Sequence, residues 1–196
     1  MMLSRSPDMV TKEDLIYRQV VTLRDGARVL IRPLTRDDRQ MLLDLFLPVS
    51  MEERRYMRHN VNDPEIVNGW IEKLDYDKAL PLVAIVGDRI VGIATLHFFE
   101  GPARHRGEVR IFLPKVFRSR GLGNKLMMAI IDQAKRRSLY ILEIQVVSEL
   151  VNEIKAFQRA GFEIKTTLED YFMLPDGDLR DIVLLILKLR TTDEEF

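Results

Sequence analysis

The segment Arg118-Ser119-Arg120-Gly121-Leu122-Gly123 constrains the fold most, because it joins a short strand-like run, Glu108 to Leu113, to a long amphipathic one. Glycines at a strand-to-helix junction let backbone N–H groups converge without β-carbons in the way, and the helix N-terminus adds roughly half a positive charge. Arg118 and Arg120 can add charge-assisted hydrogen bonds to the same anion. That geometry suits a pyrophosphate; the alternative is that the glycines only shape the turn. The pattern by itself should arise in roughly one chain in five of this length, so its context has to decide. The spacing is not that of a Rossmann turn and lacks the Gly-Lys-Ser/Thr ending of a P-loop, and the segment comes late in the chain after an antiparallel hairpin.

The flanking pattern supplies that context. Val20 to Leu23 and Arg28 to Arg32 flank Asp25-Gly26 and predict an opening hairpin. Thr35 with Asp38 resembles a capping box before Met41, Leu42, Leu45 and Phe46 at helical spacing. Ser50 with Glu53, and Asp63 before Pro64, predict two more short helices, the second carrying Ile66, Trp70, Ile71 and Leu74. Leu82 to Val86 and Arg89 to Phe99 form a longer hairpin across Gly87-Asp88, and Glu108 to Leu113 a third central strand. After the glycine turn, Leu122, Leu126, Met127, Ile130, Ile131 and Ala134 give a helix its apolar face, with Lys135, Arg136 and Arg137 suited to its C-terminal end. Ile141 to Val147 reads as a strand covered on both faces, completing a parallel strand–helix–strand unit. A last helix ends at Gly161, and Phe162 to Thr167 with Leu179 to Leu189 close the sheet.

With 196 residues the chain fits one domain, expected over 20–190 between an N-terminal tail, 1–19, and a C-terminal tail, 191–196. Thirty basic and thirty acidic side chains cancel, which removes the field that draws a protein to nucleic acid. Zero cysteines exclude disulfides, thiolate metal sites and a cysteine acyl-enzyme, and fit a reducing cytoplasm. The apolar run Ile182 to Leu187 is far short of the ~20 residues that span a bilayer, so no membrane partner is expected. His59, His97 and His105 are scattered without metal-ligand spacing, so no metal is expected.

Taken with its context, the turn resembles that of the GNAT acetyltransferases, whose Arg/Gln-x-x-Gly-x-Gly/Ala segment binds the pyrophosphate of acetyl-CoA. The resemblance runs from about Val20 to Leu189. Within that family it is most similar to the acetyltransferase module of bacterial protein lysine acetyltransferases. The residues that carry this are Leu23-Arg24-Asp25-Gly26, Ile31-Arg32-Pro33, Ser50-x-Glu52-x-x-Tyr56, Leu74-Asp75-Tyr76-Asp77 with Leu82-Val83-Ala84, and Arg120-Gly121-Leu122-Gly123. The resemblance implies an α/β (α+β) fold: a mixed, mostly antiparallel sheet with helices on both faces and a parallel pair at the cofactor cleft. It also implies acetyl-CoA as co-substrate, held by Arg118, Ser119, Arg120, Gly121, Leu122 and Gly123. In the resembling enzymes the strand carrying the base parts from the next one; the matching stretch is Ile111, Phe112 and Leu113, which implies that the Leu113 N–H faces the developing oxyanion.

An amine attacks a thioester only when neutral, and a lysine amine of pKa ~10.4 is neutral about once in 2,500 molecules at pH 7, a penalty of roughly 4.6 kcal/mol. A base is therefore expected, and Glu108 matches the family's glutamate by its place on the strand leading into the turn; the alternative is a solvent-facing strand glutamate. The family tyrosine that protonates the departing thiolate is replaced by Phe157, and Leu150 stands where the family has an asparagine. Asn152, two positions later, either contacts the cofactor or caps the helix. His97 either faces the acceptor or is structural, and the Arg54, Arg55, Arg58 cluster is either a solvated face or a clamp for an acidic protein patch. The reading is thus an N-acetyltransferase acting by direct attack on a primary amine, a protein lysine or a small molecule; the rival is a catalytically silent acetyl-CoA-binding regulatory module. Exposed edge strands leave room for a homodimer.

Overall fold

A computed structural model describes residues 16–189. Residues 1–15 of the expected N-terminal tail, residue 190 and the expected C-terminal tail lie outside them. The strands are β1 (Gln19–Thr22), β2 (Arg28–Pro33), β3 (Ala79–Val86), β4 (Arg89–Phe98), β5 (Arg106–Phe112), β6 (Ile141–Val147), β7 (Glu163–Met173) and β8 (Leu179–Lys188). The α-helices are α1 (Arg39–Phe46), α2 (Met51–Arg54), α3 (Pro64–Glu72), α4 (Leu122–Arg136) and α5 (Val151–Arg159).

The strands form one sheet in the order β1-β2-β3-β4-β5-β6-β8-β7. Neighbours run antiparallel except β5 and β6, so the mixed sheet and its one parallel pair are as the sequence predicts. Helices cover both faces. Leu122, Leu126, Met127, Ile130 and Ala134 of α4 pack with Ile154 of α5 against Leu82, Ala94, Val109 and Leu142. On the opposite face Leu42, Leu45 and Phe46 of α1 and Val67 and Ile71 of α3 pack against Val83, Ile85 and Ile93.

Local chemistry explains the element starts. Gly26, at φ 84°, closes the first hairpin, where the Ala27 N–H donates to Asp25 Oδ1 at 3.1 Å. Ahead of α1, Asp38 accepts from the Thr35 N–H at 2.7 Å and from both Arg32 terminal nitrogens at 2.6 Å. The capping acid is therefore also half of a buried ion pair that ties β2 to α1. Ser50 and Asp63 cap α2 and α3 by accepting from the N–H groups of Glu53 and Glu65.

β3 begins at Ala79 rather than Leu82, β5 runs from Arg106 to Phe112 rather than from Glu108 to Leu113, and β7 differs most. The run expected at Phe162 to Thr167 begins at Glu163, and Phe162 is a buried anchor before it. The strand continues to Met173 because the first half of β8 pairs with Thr167 through Met173 across a bulge. At that bulge Asp170 is left-handed, φ 52°, and its N–H donates to Asp181 Oδ1 at 3.0 Å.

Candidate active site

β5 stays paired with β4 as far as Phe112, but its parallel pairing with β6 ends at Glu108 opposite Glu143. β6 remains with β8 over its whole length, so β5 and β6 part and leave a wedge. A cleft of ≈ 1950 Å³ runs through it, lined by Ile111 and Leu113 on one side and by Val147, Leu150 and Asn152 on the other. Glu108 lies where the strands still touch and the glycine turn lies beyond the open end.

That turn lies between the end of β5 and the start of α4. Ser119 and Gly121 both adopt left-handed backbone, φ 61° and 91°, and Gly121 is the residue before α4. Such reversals aim successive N–H groups toward one point at a helix N-terminus, the arrangement that holds an anion. Gly123 serves close approach instead: a β-carbon there would lie 3.2 Å from Leu113 Cδ1, and one at Gly92 would collide with Leu113 Cδ2. Two glycines on different elements thus lock the Leu113 side chain, which fixes its backbone at the open end of β5. Leu122 is fully buried, so only its backbone can serve a ligand. Phe112 stacks on Phe46 with ring centroids 5.2 Å apart, and Ile111 packs toward the α4 face.

Both arginines of the turn already hold carboxylates. Arg118 donates from Nε to the Leu113 carbonyl at 2.9 Å and from Nη2 to Glu53 Oε1 at 3.0 Å. Arg120 pairs with Asp25 of the first hairpin and lies over the Phe117 ring. The turn therefore combines two left-handed residues, a helix N-terminus and two arginines, a set of groups that fits a pyrophosphate.

Glu108 is 7% exposed, which excludes a solvent-facing glutamate. Its Oε1 accepts from Arg58 Nη2 at 2.8 Å and Arg110 Nε at 3.1 Å, and its Oε2 from Arg110 Nη2 at 2.9 Å. Arg58 also donates to Gln145 Oε1 at 2.8 Å. Burial works against ionisation of Glu108, yet the Arg110 hydrogen bonds and the Arg110 and Arg58 charges outweigh it and hold the carboxyl below the usual range. On β4, His97 stands directly across from Glu108, and desolvation with the nearby Arg110 charge pushes it down to about 4. It is a neutral imidazole at pH 7. Glu143, across from Glu108 on β6, is paired with Arg106 at 3.4 Å, and its carboxyl is raised by burial against that pairing. The site thus offers an ionised carboxylate and a neutral imidazole side by side at the closed end of the cleft.

The remaining expectations divide. Asn152 lines the cleft but is not the cap of α5: Leu150 occupies that position, which overturns the capping alternative. Phe157 also lines the cleft, edge-on to Phe162 at 6.2 Å. The arginine cluster splits, with Arg54 on Asn60, Arg55 on Asp176 and only Arg58 on Glu108. His59 packs on Trp70. Sequence reasoning missed Arg110, although its i+2 spacing from Glu108 puts both on one face of a strand. Gln145 had no local signal, and Glu53 had one only as the cap partner of Ser50, not for its contact with Arg118. Among the described residues no His, Cys, Asp and Glu group could hold a metal, and no helix is long and apolar enough to cross a membrane.

Residues 44–162 match the family described as "Acetyltransferase (GNAT) family". An uncharacterized N-acetyltransferase of Methanocaldococcus jannaschii is 27% identical over 148 residues, 74% of this chain and 65% of that protein. The chain therefore spans just under two thirds of that relative's length. The GNAT domain of PAT from S. lividans superposes with a TM-score of 0.75 at 21% identity, covering 92% of this chain and 99% of that one. The protein yncA of Salmonella typhimurium, solved with its cofactor acetyl-CoA, gives 0.72 at 17% identity, covering 86% and 98%. At these identities the likeness to the two structures is one of fold.

Proposed function

The chain belongs to the acetyltransferase (GNAT) family, and from that premise we propose that it transfers acetyl from acetyl-CoA to a primary amine by direct attack. The observation that carries the reading is that one strand, β5, bears the buried Glu108 carboxylate at the closed end of the cleft and leads into the glycine turn at its open end. When bound, acetyl-CoA supplies an acetyl group activated as a thioester. Backbone N–H groups of Ser119, Arg120, Gly121, Leu122 and Gly123, with the Arg118 and Arg120 guanidiniums, would hold its pyrophosphate. Ile111, Phe112 and Leu113, at the end of β5 that has left β6, would hold its arm, the Leu113 N–H would stabilise charge developing on the acetyl carbonyl, and Asn152 would contact it from the opposite wall.

Glu108 is the general base. Its low proton affinity keeps it ionised at neutral pH but makes it a poor final resting place for a proton taken from an amine of pKa ~10.4, so it passes the proton on through water. Arg58 and Arg110 beside the acceptor position favour the neutral amine by like-charge repulsion. Phe157 cannot protonate the leaving thiolate; a thiol of pKa ~8.5 leaving as its anion at pH 7 costs about 2 kcal/mol, which direct attack tolerates.

The acceptor we favour is a protein lysine, on the subfamily resemblance and on the exposed polar rim of the acceptor end, where Tyr56 and Arg180 meet on Glu149 and Arg55 holds Asp176. A small amine is the second reading, favoured by the roof that Arg58 makes over Glu108 and Gln145. Incubation with acetyl-CoA and matched sets of lysine peptides and small amines, read by mass spectrometry, tests both. Acetylated peptides support the first, acetylation of small amines alone the second, and acetyl-CoA binding without transfer to either leaves the silent regulatory module.

A further inference from the structure

Residues 50–60 carry side chains that reach both ends of the cleft. At the turn end, Glu52 accepts from Lys115 at 2.8 Å and Glu53 from Arg118 at 3.0 Å. The same Arg118 donates to the Leu113 carbonyl, so one guanidinium joins α2 to the open end of β5. At the acceptor end Arg58 donates to Glu108 and Gln145, while Arg55 and Tyr56 reach Asp176 and Glu149 on the far wall. Between these ends the stretch is braced internally, with the Arg55 and Met57 N–H groups donating to the carbonyls of Met51 and Arg54. These bonds make Met51 to Met57 one compact turn, with Glu53 within it and Arg58 directly after it. In both contacts the carboxylate is largely covered, Glu53 at 14% and Glu108 at 10% exposed, while Arg118 and Arg58 are 40% and 38% exposed and reachable by a ligand.

Resting on the acetyl-CoA reading above, we infer that Glu53 and Arg58 make residues 50–60 a coupling strap through which an anion bound at Arg118 repositions the Glu108 carboxylate. Both are positioning residues, since neither touches the reacting atoms. A pyrophosphate at Arg118 competes with Glu53 for one guanidinium and repels the Glu53 charge, which loosens the clasp. The groups facing Glu108 are Arg58 from the strap, Arg110 on its own strand, His97 on β4, and Glu143 and Gln145 on β6. Of these, Arg58 alone is not anchored on the sheet, so it is the one that can withdraw without breaking strand pairing. Its withdrawal leaves Glu108 a stronger base when the acetyl donor is in place. By linkage the coupling runs both ways, and an acceptor engaging Glu108 alters acetyl-CoA affinity.

The test is a 13C-carboxyl NMR titration of the Glu-labelled full chain, with Glu108 assigned through Glu108→Gln. It is run with and without acetyl-CoA in wild type, Glu53→Gln, Glu53→Asp and Arg58→Gln, with calorimetry on the same samples. In wild type acetyl-CoA moves the Glu108 midpoint upward by about 1 pH unit, the low end of what one adjacent guanidinium contributes. Glu53→Gln binds acetyl-CoA at least as tightly, yet its Glu108 midpoint no longer responds, and Glu53→Asp restores part of the response. Arg58→Gln sits high in both states. Acetyl-CoA binding with no shift in wild type, or with the same shift in Glu53→Gln, overturns the coupling alone. No acetyl-CoA binding by wild type overturns the reading on which it rests, and the coupling with it.

Discussion

Arg58 Nη2 lies 2.8 Å from Glu108 Oε1, bringing a loop after α2 onto a carboxylate fifty residues away in sequence. With Arg110 on the other side, the carboxylate is held by two guanidiniums, and the neutral His97 beside it adds no compensating charge. The closed end of the cleft is therefore one in which a carboxylate stays ionised and an incoming ammonium is disfavoured relative to the amine.

Replacing the base separates binding from turnover. Glu108→Gln is expected to leave acetyl-CoA affinity unchanged and lower turnover at pH 7 by about 10²- to 10⁴-fold. The loss shrinks at pH 9, where the neutral fraction of a lysine amine is about 100-fold larger. Rate profiles of both proteins across that range check it, and equal losses at both pH values would remove Glu108 from the base role.

Removing Arg110 should move the acid limb of the rate profile. A carboxyl held below its usual range keeps its base form to lower pH, so deleting its two-point donor in Arg110→Gln shifts the limb upward, by about 1–3 units. His97→Gln should add or remove no inflection between pH 5 and 8, because that imidazole titrates at about 4. An unmoved limb in Arg110→Gln would mean that Glu108 does not set it.

The Arg32–Asp38 pair makes a stability prediction independent of catalysis. Asp38 is 3% exposed, and although burial opposes its ionisation, the Arg32 and Thr35 hydrogen bonds hold its carboxyl low. A depressed folded pKa contributes stability above the unfolded value that is lost as pH falls through the folded one. Asp38→Asn should cost about 3 kcal/mol at pH 7, by leaving Arg32 unpaired, and less in acid. Urea unfolding at several pH values measures both; a cost under about 0.5 kcal/mol at pH 7 would show the pair to be idle.

A tyrosine at 157 restores a donor facing the cleft. Phe157→Tyr is expected to raise kcat, by no more than about 30-fold, the gap between a thiol of pKa ~8.5 and neutral pH. Single-turnover kinetics read this directly, and an unchanged rate would place the limiting step elsewhere.

Much of this was legible in the sequence because its signals are local. Asp25-Gly26, Thr35 with Asp38, Asp63-Pro64 and the glycine turn each act within a few residues, and each element appeared where its signal stood. Glu108 was singled out by its match to the resembling family's glutamate on the strand before the turn, and its burial in the cleft was not legible there. What stayed hidden was made by long-range contact: Glu53 on Arg118 and Asp25 on Arg120 join segments 65 and 95 residues apart. The reach of β7 to Met173 was hidden likewise, since pairing with β8 sets it against an exposed, weakly patterned sequence.

The most direct measurement is calorimetric titration of acetyl-CoA into the wild-type chain and into a variant carrying Gly121→Val and Gly123→Val. At Gly121 a β-branched residue meets left-handed backbone at φ 91°, and at Gly123 it meets Leu113. Micromolar binding by wild type that the folded variant loses is the expected result. No binding by wild type, or equal binding by both, would contradict the assignment of the turn as the acetyl-CoA site.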